Sequence, residues 1–515
     1  MVALLANKLQ KLPGLTQTAL KLAACTGHHF NLKTLAIVSE KTMLETGREL
    51  WPALAEGLIL ETSDFGLQPA DLEAAEAELQ FPLAQLQFKF LHDRVQQAAY
   101  ALISAADKKS SHLKIGRLMG QNRAGEAQEE QLFDIVHHLN LGAALLERME
   151  ERVHLARLNL SAGRKALAAS AYAPALQYLT TGIELLAAEE PWERHYELTL
   201  GLHISAAEAA YLATDFERAE ALIAVVTGRA RTLLDKVKVY EIRLLAYLAQ
   251  DRLLEAIETG RQVLAMLGVF LPQKPTRAQA IISLLRVRLS LSAGRVEQLA
   301  ALPAMADPQR LAAMAILRRL LIATYVARPE MSALAISHMV RLSRRYGHAP
   351  ESPVAYAYYG LILAGRLGQV QLGRQLGRLA LTLQEKFNVP YLKALIYLIF
   401  YYGLHHWQTH VREVIPPLLE GYQSGFESGE WDAGGALRLP ALGGAEQGKR
   451  PGRKISPLAG WGGGGAKKRR HPDHQHHRQQ KRRAARFAHR DQSLPGYFGR
   501  DYAGPAAGKV DGDGD

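Results

Sequence analysis

Three breaks between helical segments carry the same chemistry, and that recurrence constrains the fold more than any other feature of the chain. Ala171-Tyr172-Ala173-Pro174-Ala175 and Asp215-Phe216-Glu217-Arg218-Ala219 each set a small or capping residue, an aromatic, and an alanine three places further on. Asp251-Arg252-Leu253-Leu254-Glu255-Ala256 is a looser third copy. The anchoring alanines Ala175, Ala219 and Ala256 lie 44 and 37 residues apart, room for one helix pair per step. Asp215 is placed to cap the helix that follows it. Phe216 would wedge between the two helices of its pair, and the small Ala219 would let them approach. One pair cannot bury its own apolar face, so such pairs must stack on one another.

That period is near those of tetratricopeptide (TPR) and HEAT-like arrays. From 106 to 430 no convincing strand pattern occurs, and Leu and Ala dominate, residues that lose little on entering a helix. The expected fold is therefore mainly α, a TPR-like helical-repeat solenoid over 106–430. An irregular helical bundle is the alternative.

The flanks read differently. Within 1–105, Leu15 to Thr26, Leu32 to Val38 and Thr42 to Leu58 have helical periods, whereas Leu58 to Glu61 and Leu86 to Phe90 read as strands. Three short helices and a two-stranded ribbon predict a small winged-helix-like domain. From 431 to 515 the chain turns Gly-, Arg- and His-rich, with four glycines at Gly462 to Gly465 and basic clusters at Lys467 to Arg470 and Lys481 to Arg483. Such sequence buries too little apolar surface to offset its ordering entropy, so a disordered basic tail is expected.

The net charge of +12 suggests nucleic acid until it is located. From Ala433 onward there are 17 Lys/Arg and 7 Asp/Glu, which leaves 45 basic and 43 acidic residues in the body. Nucleic-acid binding is then expected only nonspecifically, through phosphate contacts of the tail. The single cysteine, Cys25, excludes an internal disulfide framework and points to a reducing, cytoplasmic setting. No membrane partner is expected, because the best apolar run, Ala394 to Leu404, is about half of the roughly 20 residues a spanning helix needs.

Motifs that promise chemistry are incomplete. Gly443 to Lys449 has phosphate-loop spacing, but Arg450 stands where a hydroxyl should hold magnesium, and Pro451 follows. His489-Arg490-Asp491 copies a kinase triplet without the Asn five residues on. The tail histidines lack the Cys/His spacing of a zinc site, and His406 and His410 lack a third ligand. Leu91-His92-Asp93-Arg94-Val95-Gln96-Gln97 has the His-Asp pair that opens a phosphoacceptor helix in some sensor kinases. The plainer reading is a helix start with Asp93 at its positive end. No catalytic, cofactor or metal set assembles, so the chain itself is not expected to be an enzyme.

Phe88 to Ile103 (FKFLHDRVQQAAYALI) closely resembles a stretch of very large bacterial signalling proteins. So do Leu22 to Glu40, Leu132 to Leu141, Leu179 to Ala187, Leu233 to Tyr240 and Pro416 to Gly425. These proteins combine a serine/threonine kinase, an AAA- or STAND-type ATPase, TPR-like repeats, GAF modules and a sensor histidine kinase. The resemblance runs from about Leu4 to Glu430 and implies the end of the ATPase module and the repeats behind it, a fragment without the catalytic modules. It singles out His92, Asp93, Arg94, Gln96 and Gln97 as a family-motif helix. It implies a regulatory, protein-interaction segment of a signal-transduction protein, whose partners are other proteins or other modules of the same chain. The alternatives are a nucleic-acid-binding regulator using the winged helix and tail, and a phosphoacceptor segment at His92. Loss of period and resemblance near Asp432 is what a reading-frame shift would produce, with a fused basic tail as runner-up. A repeat cut there would expose Val414, Ile415, Leu418 and Leu419 and favour self-association.

Overall fold

The computed structural model describes residues 7–63, 67, 83–121, 131–187, 190–291, 296–405 and 409–428. The expected tail, His406 and the two tail motifs lie outside the described residues. Two compact units divide between Arg218 and Ala219, inside the helical region.

The first unit opens with α1 (Gly14–Thr26), β1 (His29–Asn31), α2 (Leu32–Ser39), α3 (Met43–Ala55), β2 (Ile59–Glu61), β3 (Gln87–Phe90) and α4 (Asp93–Ala101). Both inner helices start on side-chain caps. Asn31 accepts the Thr34 N–H at 2.6 Å, and Thr42 with Glu45 forms a reciprocal capping box. The strands make an antiparallel sheet in the order β1-β3-β2. Phe30 lies opposite Phe88, with ring centroids 5.7 Å apart, and both rings are buried with Phe90. The third strand, β1, is an addition to the expected two-stranded ribbon.

Helices α5 (Ala105–Gln121), α6 (Leu132–Gly142), α7 (Met149–Ala168), α8 (Tyr172–Leu186) and α9 (Tyr196–Leu212) follow. Residue 105 is no boundary of packing, since Cys25 and Val38 share an apolar cluster with Leu113, Ile135 and Leu155.

Helix α10 (Phe216–Arg229) carries the division between units. The second unit continues with α11 (Leu233–Ala249), α12 (Leu253–Met266), α13 (Arg277–Ser290), α14 (Pro308–Ala327), α15 (Pro329–Tyr346), α16 (Ser352–Leu367), α17 (Val370–Lys386), α18 (Pro390–Tyr397) and α19 (Val411–Glu427). One apolar cluster runs from Val237 to Ile399. At α19 the expectation of a bared face is corrected: Val414 and Leu418 are buried, in one cluster with Ala394. A π-turn at Leu398–Leu404 adds Tyr401 and Tyr402 to that cover. Leu419 is exposed and Ile415 half-buried.

The repeat breaks share one backbone device. Ser170, Thr214 and Asp251 all have positive φ, at 58°, 64° and 60°. The next N–H in each case returns to a carbonyl five residues back, Ala171 to Ala166, Asp215 to Ala210 and Arg252 to Tyr247. This left-handed ending satisfies helix carbonyls that would otherwise lack donors. Ala175, Ala219 and Ala256, each five residues after the turn residue, are all buried. Gly368 repeats the turn at φ 66°, and the buried Gly373 stands five residues on. There a Cβ on Gly360 would lie 2.6 Å from the Gly373 carbonyl oxygen, so the backbones of α16 and α17 touch.

Candidate functional site

The surface of α8 is flanked by two open clefts within the first unit. One, of about 570 Å³, lies towards α6 and is lined by His137, Asn140, Arg152, Gln177, Tyr178, Thr181 and Glu184 among others. The second, of about 560 Å³, lies towards the start of α10 and is lined by Ala173, Thr180, Asp215 and Arg218. Gln177, Thr181 and Glu184 border both, so the clefts make one groove across successive helices.

The repeat chemistry builds this groove. Positive φ at Ser170 turns the chain so that α8 begins at Tyr172, which is half-buried. Ala175 is then buried on one face while Ala173 and Gln177 stay exposed on the other. At the next break Asp215 accepts the Arg218 N–H at 3.1 Å, the expected cap. Phe216 is half-buried and tilts against Tyr211, with centroids 6.5 Å apart. Arg218 donates to the Thr180 hydroxyl at 2.7 Å, which closes the rim of the second cleft. Asp251 is not a cap. It occupies the turn position of Ser170 and Thr214, one place earlier than Asp215.

Behind the groove lie polar contacts that the sequence pattern did not reveal. The Asn140 and Asn159 amides exchange two hydrogen bonds, at 2.9 and 2.8 Å, and Asn159 is fully buried. His112 and His138 meet Nδ1 to Nδ1 at 2.8 Å, and Tyr100 Oη lies 3.1 Å from His112 Nε2. One Nδ1 must donate and the other accept, so the accepting ring is neutral in this contact. Burial, with the nearby His112 and His137, holds His138 down at about 4. Burial also lowers His112, aided by His137 and Lys108. Burial pushes the nearby Cys25 thiol up to about 11, the opposite of what a reactive thiol needs.

The family-motif helix is placed as follows. His92 is the exposed first residue before α4, with no side-chain cap bond. Asp93 Oδ1 lies 2.9 Å from His28 Nδ1. Arg94 and Gln97 are exposed. Gln96 reaches back and donates to the Ala24 carbonyl near the end of α1, at 3.1 Å. His410 caps α19 by accepting the Arg412 N–H at 3.2 Å. None of these residues reaches the groove along α8.

No family model matches the chain. It is similar to the hybrid signal transduction histidine kinase G of Dictyostelium discoideum, 21% identical over 492 aligned residues. That match covers 84% of this chain and 14% of the relative's length, so the chain corresponds to a segment of a much longer signalling protein. A STAND protein with a tetratricopeptide repeat sensor from Pyrococcus horikoshii is a structural neighbour, with a TM-score of 0.38 and 11% identity. It covers 86% of this chain and 55% of the neighbour. The helical-repeat description rests on the turns and buried small residues above, not on that slight likeness.

Proposed function

We propose that this chain is a non-catalytic regulatory segment of a larger signalling protein and that its groove along α8 receives a protein segment. The observation that carries this reading is the continuity of the two clefts along α8, from α6 to the start of α10, with side chains of both charges and two amides, Asn140 and Gln177, on its walls. A groove of this kind suits an extended backbone with mixed side chains better than one small substrate. Residues 14–101 are proposed as a winged-helix-like unit, since helix, strand, two helices and two strands follow in that order. In the intact protein this unit would couple the repeats to a nucleotide-binding module. A DNA-reading role for α3 has less support: Lys41 is paired with Glu49, and Glu45 is spent on capping.

Titration calorimetry of the purified chain with Mg·ATP tests the central claim. No saturable heat is expected, and a saturable binding isotherm would overturn the non-catalytic reading.

A further inference from the structure

Helix α13 has two apolar faces, and among the described residues only one is packed. The inner face buries Ala280 and Val287. Leu284 is fixed there too, its carbonyl accepting from Tyr359 Oη at 2.9 Å. The outer face carries Ile281, Ile282, Leu285 and Leu289, all exposed, from 43% at Leu285 to 78% at Leu289. At about 100° per residue these four cover an arc about 100° wide. Arg277 stands at one margin of the arc and Arg286 at the other, both exposed; Arg288, on the Arg277 side, is half-buried and donates to Gln369 Oε1. From Thr259 to Val296 the sequence holds six basic residues and no acidic one, and of these six Arg261 is paired with Glu258. Glu330, on α15, approaches Arg277 to 3.4 Å, yet the Arg277 side chain is 90% exposed.

We propose that this outer face of α13 seats on an anionic lipid bilayer surface. The aliphatic side chains would enter the boundary between headgroups and acyl chains, and the exposed Arg277 and Arg286 would meet lipid phosphates. No described helix is long and apolar enough to cross a membrane, and a surface contact needs none. A second copy is the weaker occupant, because pairing α13 with itself sets arginine against arginine. A partner helix is also weaker, because the high exposure along the arc leaves no wall to grip one.

The test uses the full chain, sedimented with vesicles of phosphatidylcholine alone or with about 30% phosphatidylserine. The tail is basic and will bind the anionic vesicles by charge. Binding is therefore also read in 0.5 M KCl, where charge interactions are screened within a few ångströms. Expected is binding to anionic vesicles that persists in part in high salt and falls at least tenfold in Leu285→Asp/Leu289→Asp. A Leu289→Cys variant carrying an environment-sensitive fluorophore supplies a second reading, and the buried Cys25 should stay unlabelled. Its emission should shift to the blue on anionic vesicles and not on neutral ones. An unchanged spectrum on vesicles would overturn the proposal. So would a double variant that binds like the parent, or a blue shift that follows protein concentration or an added acidic protein and not lipid.

Discussion

The two compact units solve the same problem, holding successive helices at fixed angles, by different means. In the first, apolar clusters are separate, one around Phe30, Phe88 and Phe90 and another around Leu113 and Ile135. Between and behind them stand matched polar pairs, Tyr100–His112–His138 and Asn140–Asn159. In the second, one apolar cluster runs through most of the unit, and α16 and α17 close until backbone meets backbone at Gly360 and Gly373. Polar pairs demand defined hydrogen-bond geometry and tolerate little misalignment. Backbone contact demands absence of volume. Protonation should therefore act on the first unit at α5 and α6, and added side-chain atoms on the second at α16 and α17.

The largest expected effect is in the second unit. Gly360→Leu places a Cβ 2.6 Å from the Gly373 carbonyl oxygen, and a main-chain atom cannot rotate away. We expect a loss of about 4 kcal/mol, the upper end for overpacking. It should appear as a lowered denaturant midpoint, with faster hydrogen exchange in α16 and α17 and unchanged protection in α5 and α6. In the first unit, Gly163→Ala meets the Leu179 side chain, which has rotamers to adopt, so its cost should be smaller. Equal costs for the two would remove the contrast.

Acid should act next. His138 titrates near 4 in the fold and near 6.5 when unfolded, so the unfolded chain binds more protons between those values. Its contribution is whole above pH 6.5 and is lost as pH falls towards 4. The proton's preference for the unfolded chain makes that loss on the order of 3 kcal/mol. His348, buried against Tyr356 and also near 4, gives the second unit an acid response of its own. The double variant His112→Phe/His138→Leu removes both partners of the pair. It should flatten the pH dependence of exchange in α5 and α6 while leaving that of α15 and α16. A slope in α5 and α6 that survives the double variant would place its origin elsewhere.

These contrasts were unevenly legible in the sequence. Helices with a regular apolar period, and the strands at Ile59–Glu61 and Gln87–Phe90, lie close to where periodicity puts them. Strand β1 escaped because His29–Asn31 holds one apolar residue, Phe30, between two polar ones, whereas the equally short β2 continues the apolar run Leu58-Ile59-Leu60. Asn159 and His138 escaped for a different reason: a polar residue on a helix reads as surface unless its partner is known, and theirs lie 19 and 26 residues away. Asp215 was legible as a cap because capping is local. The inner role of Gln96 was not, since its acceptor on Ala24 is 72 residues distant. The outer face of α13 was invisible for the converse reason, as exposed leucines and isoleucines look like core until neighbours are in place.

The smallest effect bears on the repeat itself. The anchoring alanines could be read from the sequence, but the turn residues five places before them could not, because none of the three is glycine. Ser170, Thr214 and Asp251 take a conformation in which a side chain is a burden, and the β-branched Thr214 is the least suited of them. A later break shows the relaxed solution, Gly368 at φ 66°. If the left-handed turn, rather than any contact of the threonine side chain, is what this position supplies, removing that side chain should relieve strain. Thr214 is exposed, so little packing is forfeited, while glycine adds some freedom to the unfolded chain. Thr214→Gly should then stabilise the first unit by about 1 kcal/mol, read as a raised denaturant midpoint with unchanged slope. Thr214→Pro should do the reverse, since proline cannot reach positive φ. A Thr214→Gly variant less stable than its parent would show that the threonine side chain holds this break together, and the turn-based alignment of the repeats would lose its physical basis.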